Sequence, residues 1–505
     1  MKSDFPPTET STPEEPLTTI ASDASDASHA PLTHPAAPAE QPASEKIDPI
    51  VQEYGPLLLI EGDDVTVNQI AVAKKFTVEC GISFDETAGQ FRQYDASSGV
   101  LKILNDAKAK LALGAFLKLV AEKENAPGLI MMRTNAMLAS ILNLARGIAV
   151  MGKPVIDAGP TVHVANGVIE VSATGAVLRE FRPEDWATCA CAIRYNPKAK
   201  CVRFQDELLK PALSADDISL LQRFFGAVLM GLNAAQRFLV LYGDAASGKS
   251  TLVRILEWVI GLARVATMRT AHLAGRFEMH GFHDKGLLTA KDVASDFLAQ
   301  RGAKTIKALI GDDVFETEQK YGGKAQLTGT RNVLVTSNAP LRLSLDGDEG
   351  AWRRRLLVIH FKRTAAIQRV SNFAEVLLKD EAEGILAWMI EGAVAHLKEL
   401  GTGGDFELTQ GQRERIEKWI LASKCVEVFV TEKVARSAKA AVSVEELHDA
   451  YLAFCKAREW VPVATKSFHT KLPDLMAKEH GAHRRNDIKR GGKAVRGFKG
   501  VILRN

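Results

Sequence analysis

A chain of 505 residues is longer than the ~250 to 300 residues at which one hydrophobic core stops growing, so a single-domain protein is excluded. Its 46% hydrophobic and 25% charged content is that of a globular protein, and no apolar run approaches the ~18 residues of a membrane span. The formal net charge of +3 conceals ends of opposite sign.

The opening MKSDFPPTET lacks the apolar core of a signal peptide, and a cytoplasmic location is expected. Residues 1–46 are rich in Pro, Ser, Thr, Ala and acidic side chains, too poor in large apolar groups to offset the entropy of ordering, and read as a disordered acidic tail. Residues 47–210 mix helical segments such as AKLALGAFLKLVAEK with alternating strands such as HVANGVIEVSATGAVL, an α+β region. Cys189, Cys191 and Cys201 cluster there. A C-x-C pair without a second pair or nearby histidines makes a poor tetrahedral zinc site, and buried reduced thiols are expected instead.

Over 211–400, the helix ADDISLLQRFFGAVLMGL precedes the apolar runs FLVLY, KGLLTA, RNVLVTSN and RLLVIHF, which alternate with helical stretches as in a mostly parallel α/β sheet. GTGGD breaks the pattern and opens a linker and helical segment over 401–441, helical around Gln410 to Val434. A compact C-terminal unit is expected over 442–505.

Gly243-Asp244-Ala245-Ala246-Ser247-Gly248-Lys249-Ser250 fits G-x-x-x-x-G-K-[ST] completely and joins the strand FLVLY to the helix beginning at Thr251. Backbone N–H groups of such a loop curl around phosphates, the helix turns its positive end toward them, Lys249 reaches the outer phosphates and Ser250 binds magnesium. ATP with Mg2+ is the expected ligand. Downstream, KGLLTAKDV ends in Asp292, a carboxylate placed to hold magnesium or orient water. LVTSN puts Asn338 at another strand end, where a polar tip can position the attacking water. DEGAWRRRLLVIHF sets Arg353, Arg354 and Arg355 before a third strand, where arginines can supply positive charge to a neighbour's phosphate.

The series GDAASGKST, KGLLTAKDV, IKALIGDDVFETEQKYGGKAQLTGT, NVLVTSN and DEGAWRRRLLVIHF resembles the motif order of superfamily 3 helicases in phage and plasmid primase-helicases, relatives of the poxvirus-type replication ATPase. The likeness extends upstream through VANGVIEV and FRPEDWATCACAIRYNPKAKCVRFQDELL, and downstream to a winged-helix-like terminus. It implies an AAA+-type P-loop ATPase domain behind an N-terminal α+β region, assembled as a homohexameric ring that moves on single-stranded DNA with ATP sites between subunits. Lys249 and Ser250 match the phosphate loop, Asn338 the sensor, and Arg353 with Arg354 the arginine pair. The family commonly shows glutamate where Asp292 stands, often with a second acid beside it; here the neighbour is Lys291.

ETEQKYGGKAQLTGT reads as two strands around the Tyr321-Gly322-Gly323 turn, and the resemblance implies a channel loop in which Lys320 and Lys324 follow the DNA backbone. SVEELHDAYLAFCKARE and TKSFHTKLPDLMAKE read as helices before the basic hairpin HRRNDIKRGGKAVRGFKGVIL. Arg484, Arg485, Lys489, Arg490 and Lys493 then form a winged-helix footprint for duplex or forked DNA. A replicative helicase is expected, with an ATP-dependent initiator or loader as the alternative. Residues 47–210 are short for a catalytic primase and lack its D-x-D pair and histidine, so a primase would act in trans.

Overall fold

The computed structural model describes residues 48–504 apart from 63, 87, 153–159, 270–278, 280, 283–284, 300–301, 312, 319–323, 328–329, 346–347 and 363–369. The acidic segment expected over 1–46 lies outside the described residues.

Three hydrophobic cores organise the described residues. The first holds helices α1 (Pro49–Tyr54), α2 (Gln69–Glu79), α3 (Asp106–Lys123), α4 (Gly128–Met132) and α5 (Asn135–Ile148). With them go the hairpin of β1 (Leu58–Glu61) and β2 (Asp64–Val67) and the antiparallel sheet of β3 (Ile82–Asp85), β4 (Gln90–Asp95) and β5 (Val100–Leu104). Helix α3 shows why such segments form. Asn105 caps its first turn by accepting from the Lys108 N–H at 2.9 Å, and Ala109, Leu113, Phe116, Leu117 and Val120 recur at helical spacing on the buried face.

The second core begins at Val162 and runs to Ile420. It takes in the antiparallel sheet of β6 (Thr161–Val164), β7 (Gly167–Ser172) and β8 (Gly175–Arg179), the π-helical turn Phe204–Leu209 and helix α6 (Ala215–Met230). A five-stranded parallel sheet follows: β9 (Phe238–Gly243), β10 (Val265–Thr267), β11 (Leu287–Val293), β14 (Asn332–Ser337) and β15 (Leu356–Phe361), in the order β10-β11-β14-β9-β15. Helix α7 (Lys249–Ile260) follows β9, while α8 (Gly302–Ile310) and the hairpin of β12 (Phe315–Glu318) and β13 (Lys324–Leu327) lie between β11 and β14. Helices α9 (Glu349–Arg355), α10 (Phe373–Gly403) and α11 (Gln410–Ser423) complete the unit. Strands Asn332–Ser337 and Phe238–Leu241 are buried along their whole length, as a parallel sheet covered on both faces requires, which is why they read as unbroken apolar runs.

The third core contains α12 (Cys425–Lys433), β16 (Val434–Ser443), α13 (Val444–Ala457), α14 (Thr465–His480) and the hairpin of β17 (Arg484–Arg490) and β18 (Lys493–Leu503). Its antiparallel sheet has the order β16-β18-β17. No described helix is long and apolar enough to cross a membrane.

Packing redraws the boundaries expected from sequence. Residues 161–210 join the parallel-sheet unit, not the N-terminal one, because Val162, Ile169, Phe204 and Leu209 share its core. The Glu381 carboxylate, at a kink in α10, accepts the N–H groups of Arg203 (2.9 Å) and Phe204 (2.8 Å), tying the π-turn to the parallel-sheet unit. The 401–441 segment is divided rather than a linker. Ile416, Trp419 and Ile420 belong to the second core, and Cys425, Phe429, Val430 and Val434 to the third, which therefore starts at Cys425 instead of 442. GTGGD does not end the helix at 401 either; α10 continues to Gly403 and stops at left-handed Gly404 (φ 70°).

Candidate functional site

All five parallel strands point their C-terminal ends to one edge of the sheet, and there the chain leaves β9 toward β10 on one side and leaves the adjacent β14 toward β15 on the other. A crevice at such a switch point is where open α/β sheets hold ligands. The loop Gly243–Gly248 occupies it. Gly243 (φ 144°) packs so tightly that a Cβ would stand 2.1 Å from the Phe361 carbonyl oxygen. Ala246 and Gly248 also have positive φ, 59° and 104°, which turns successive N–H groups toward one side. Helices α3, α6 and α13 are capped by the side chains of Asn105, Ser214 and Ser443, whereas α7 starts at Gly248 with no side-chain cap. Its first N–H groups are thus directed at the loop, as anion binding at a helix N-terminus requires.

Lys249 is only 3% exposed, and its ammonium donates to the carbonyls of Gly243 (2.7 Å) and Asp244 (2.8 Å), to Ser247 Oγ (3.3 Å) and to Asn338 Oδ1 (3.3 Å). The last bond joins residues 89 positions apart, bringing the Gly243–Ser250 loop and the residue that follows β14 into one site. Burial pulls the Lys249 ammonium below the ordinary lysine range, opposed by the charges of Asp292 and Asp244. Asp244, Ala245, Ala246 and Ser250 are exposed, Thr251 half-buried and Ser247 buried.

Asp292 stands where the β11–β14 register shifts between Ala290 and Val293. Its φ of 49° is a left-handed conformation that aspartate tolerates at a cost on the order of 1 kcal/mol. The Thr336 hydroxyl on β14 accepts its N–H at 2.8 Å and holds the bulge. Bulges of this kind re-aim a side chain beside a site. The neighbouring Lys291 leaves the crevice: its Nζ meets Glu257 Oε2 at 2.7 Å, while buried Thr289 donates to Oε1 of the same carboxylate at 2.9 Å. Glu257 on α7 thus pairs the lysine beside Asp292. Ser250 and Asp292 are both exposed oxygen donors near the loop, a set that suits a hard cation such as Mg2+.

Arg353, Arg354 and Arg355 end α9, where cations favour the helix dipole. Leu356 pairs with Phe238 and Phe361 with Gly243. About 17 Å of strand, at ~3.3 Å per residue, therefore separates these arginines from their own loop. The guanidinium of Arg353 is taken up by Glu417 (2.7 and 3.0 Å) and Glu349 (3.3 Å). Arg354 is exposed and has no ion pair among the described residues. The structure thus gathers Lys249, Asp292 and Asn338 at one edge and sets Arg353 and Arg354 at the other.

Residues 315–318 and 324–327 pair antiparallel with Glu318 opposite Lys324; Lys320 lies outside the described residues. In the C-terminal unit Gly491 and Gly492, with φ of 57° and 79°, form the two-residue turn joining β17 to β18. Arg484, Arg485, Lys489, Arg490 and Lys493 are all exposed. Arg485 is engaged by Asp487 (3.0 and 3.2 Å) and Arg490 by Glu446 (2.8 and 2.9 Å), leaving Arg484, Lys489 and Lys493 without an ion pair among the described residues. A cleft of about 930 Å³ between α14 and the hairpin is lined by Lys466, His469, Thr470, His483 and Arg484. Lys466 and His469 escaped the sequence reading because helical spacing alone does not reveal which face of α14 meets the hairpin. Thr336 and Glu257 were missed for a similar reason: each acts through a partner distant in sequence. Cys191 and Cys201 sit in the apolar core, and burial pushes the Cys191 thiol up to about 11.

Residues 241–355, from the end of β9 through α9, match a family described as a family of unknown function (DUF5906). No curated protein matches the chain. Among solved structures, the A-form apo structure of the NrS-1 C-terminal region is 12% identical with a TM-score of 0.43, covering 85% of this chain and 98% of its own. Another apo structure of that region is also 12% identical, with a TM-score of 0.40, covering 87% of this chain and 99% of its own.

Proposed function

We propose that this chain is an ATP-dependent DNA helicase of the superfamily 3 type, working in replication as a homohexameric ring with each ATP site shared by two subunits. What supports it is that one chain carries a glycine-rich loop with Lys249 and Asn338 at one sheet edge and, at the opposite edge, an exposed Arg354 with no ion pair among the described residues. Such a chain is incomplete alone and complete when its loop faces a neighbour's arginine.

In this reading the loop N–H groups and Lys249 hold the β- and γ-phosphates, and Asn338 and Asp292 orient the attacking water in line with the bond to the leaving ADP oxygen. Magnesium, held by Ser250 and Asp292, neutralises phosphate charge when bound. The neighbour's Arg354 stabilises charge that develops on the transferred phosphoryl group. Lys320 and Lys324 at the β12–β13 hairpin follow single-stranded DNA, and the basic C-terminal hairpin takes duplex at the fork. A primase, where one takes part, acts in trans.

Strand displacement on a forked duplex with ATP and Mg2+ tests this. Displacement by wild type and none by Lys249→Ala is expected. ATP turnover with DNA binding but no displacement would instead identify an initiator or loader.

A further inference from the structure

Arg237 is the residue just before β9, at the end of that strand away from the phosphate loop. It is 6% exposed, and its Nη1 donates to the carbonyl oxygens of Arg353 and Leu356, both at 3.0 Å. The Arg353 carbonyl is among the last of α9, which have no partner within the helix, and Leu356 is the residue just past the helix that opens β15. Asp405 holds the same guanidinium through Nε at 2.6 Å and through Nη2, and Asn233 Oδ1 accepts the Arg237 N–H at 3.0 Å. Nothing in phosphate binding uses this residue. A buried guanidinium with both carbonyls and a carboxylate in reach is a fixed fork, and the object it fixes is the helix end bearing Arg354.

We propose that Arg237, anchored by Asp405, is the positioning residue for the arginine that completes a neighbour's ATP site. The inference rests on the shared-site reading above. Strand β9 then serves two sites at once: Gly243 at one end begins the loop of its own site, and Arg237 at the other sets the arginine of the next. Six residues of parallel strand, all but Tyr242 buried, paired with β15 throughout and with β14 over Leu239–Tyr242, make the connection stiff.

The experiment is subunit mixing with the full-length chain, read as ATP turnover alongside nucleotide binding. Arg237→Gln is expected to bind ATP as wild type does but to turn over at least tenfold more slowly. An excess of Lys249→Ala subunits should restore part of its activity, because those subunits supply intact arginines to its intact loops. Arg354→Ala subunits should restore none. Arg237→Lys, which keeps charge but not the fork, should lie between. Rescue by Arg354→Ala subunits, or wild-type turnover of Arg237→Gln, overturns the proposal. Should Arg237→Gln not fold, Asp405→Asn answers in its place, with the same complementation pattern and a smaller loss expected, and wild-type turnover counting against. The shared-site reading fails separately, if Arg354→Ala mixed with Lys249→Ala stays inactive while both enter rings.

Discussion

At the scale of single residues, Arg353 and Arg354, two of the three arginines that end α9, are unequal. Their adjacency in RRR makes them interchangeable by sequence, but Glu417 and Glu349 hold Arg353 while Arg354 faces solvent. Arg354→Ala is therefore expected to lose on the order of 10³-fold in turnover with nucleotide binding retained, and Arg353→Ala much less. Steady-state ATPase rates beside nucleotide titrations check this; equal losses would mean that the ion pairs of Arg353 break in the ring. Lys249→Ala should cost roughly 10²- to 10³-fold, since it removes a cation already fixed among loop carbonyls. Asp292→Asn should bind ATP yet hydrolyse poorly. If turnover is untouched, the working carboxylate is elsewhere, with Asp296 the next candidate.

At the scale of elements, the β17–β18 hairpin presents Lys489 and Lys493 on either side of its turn, neither with an ion pair among the described residues. Replacing both by alanine should weaken binding to duplex of any sequence and lower the slope of log affinity against log salt by about two, one per lost phosphate contact. An unchanged slope would place DNA elsewhere. The hairpin is tied to α13 by Arg490 on Glu446. Arg490, helped by the Ser443 N–H, holds the Glu446 carboxyl down at about 2, below the ~4.3 of an unfolded glutamate. A depressed carboxylate stabilises the fold above its unfolded value and loses that contribution as pH falls toward the folded one. The melting-temperature gap between wild type and Glu446→Gln should therefore be constant above about pH 5 and close as pH approaches 2.

At the scale of the whole molecule, the third core begins at Cys425, and β16 pairs with β18. A chain ending at Lys424 removes that core intact, so it should stay monodisperse and keep ATPase activity while losing affinity for forked DNA. A chain ending at Ala441 keeps Phe429, Val430 and Val434 without their partners Phe498 and Val501, and should aggregate. Size-exclusion chromatography of the two distinguishes a boundary at Cys425 from one at Val442. The units also touch directly: Arg342, in the loop that follows Asn338, donates to the Pro462 carbonyl at 3.3 Å, while the neighbouring Leu343 N–H donates to Ser423 Oγ at 2.9 Å at the end of α11, just before the boundary.

The sequence by itself determined the local chemistry. A phosphate loop is written in consecutive residues because its ligands are its own N–H groups and the lysine that follows, and buried parallel strands are visible because both faces must be apolar. The order of apolar runs therefore located β9, β11, β14 and β15, and Gly243 to Ser250 located the glycine-rich loop at the end of β9. Tertiary structure alone decided what depends on partners far apart in the chain. Thr336 holds Asp292 in its bulge, Glu257 withdraws Lys291, Glu417 occupies Arg353, and Arg237 clamps α9 from the far end of the loop strand. Domain boundaries fell in the same class, because Val162 and Cys425 join the cores they do through contacts that no local spacing encodes.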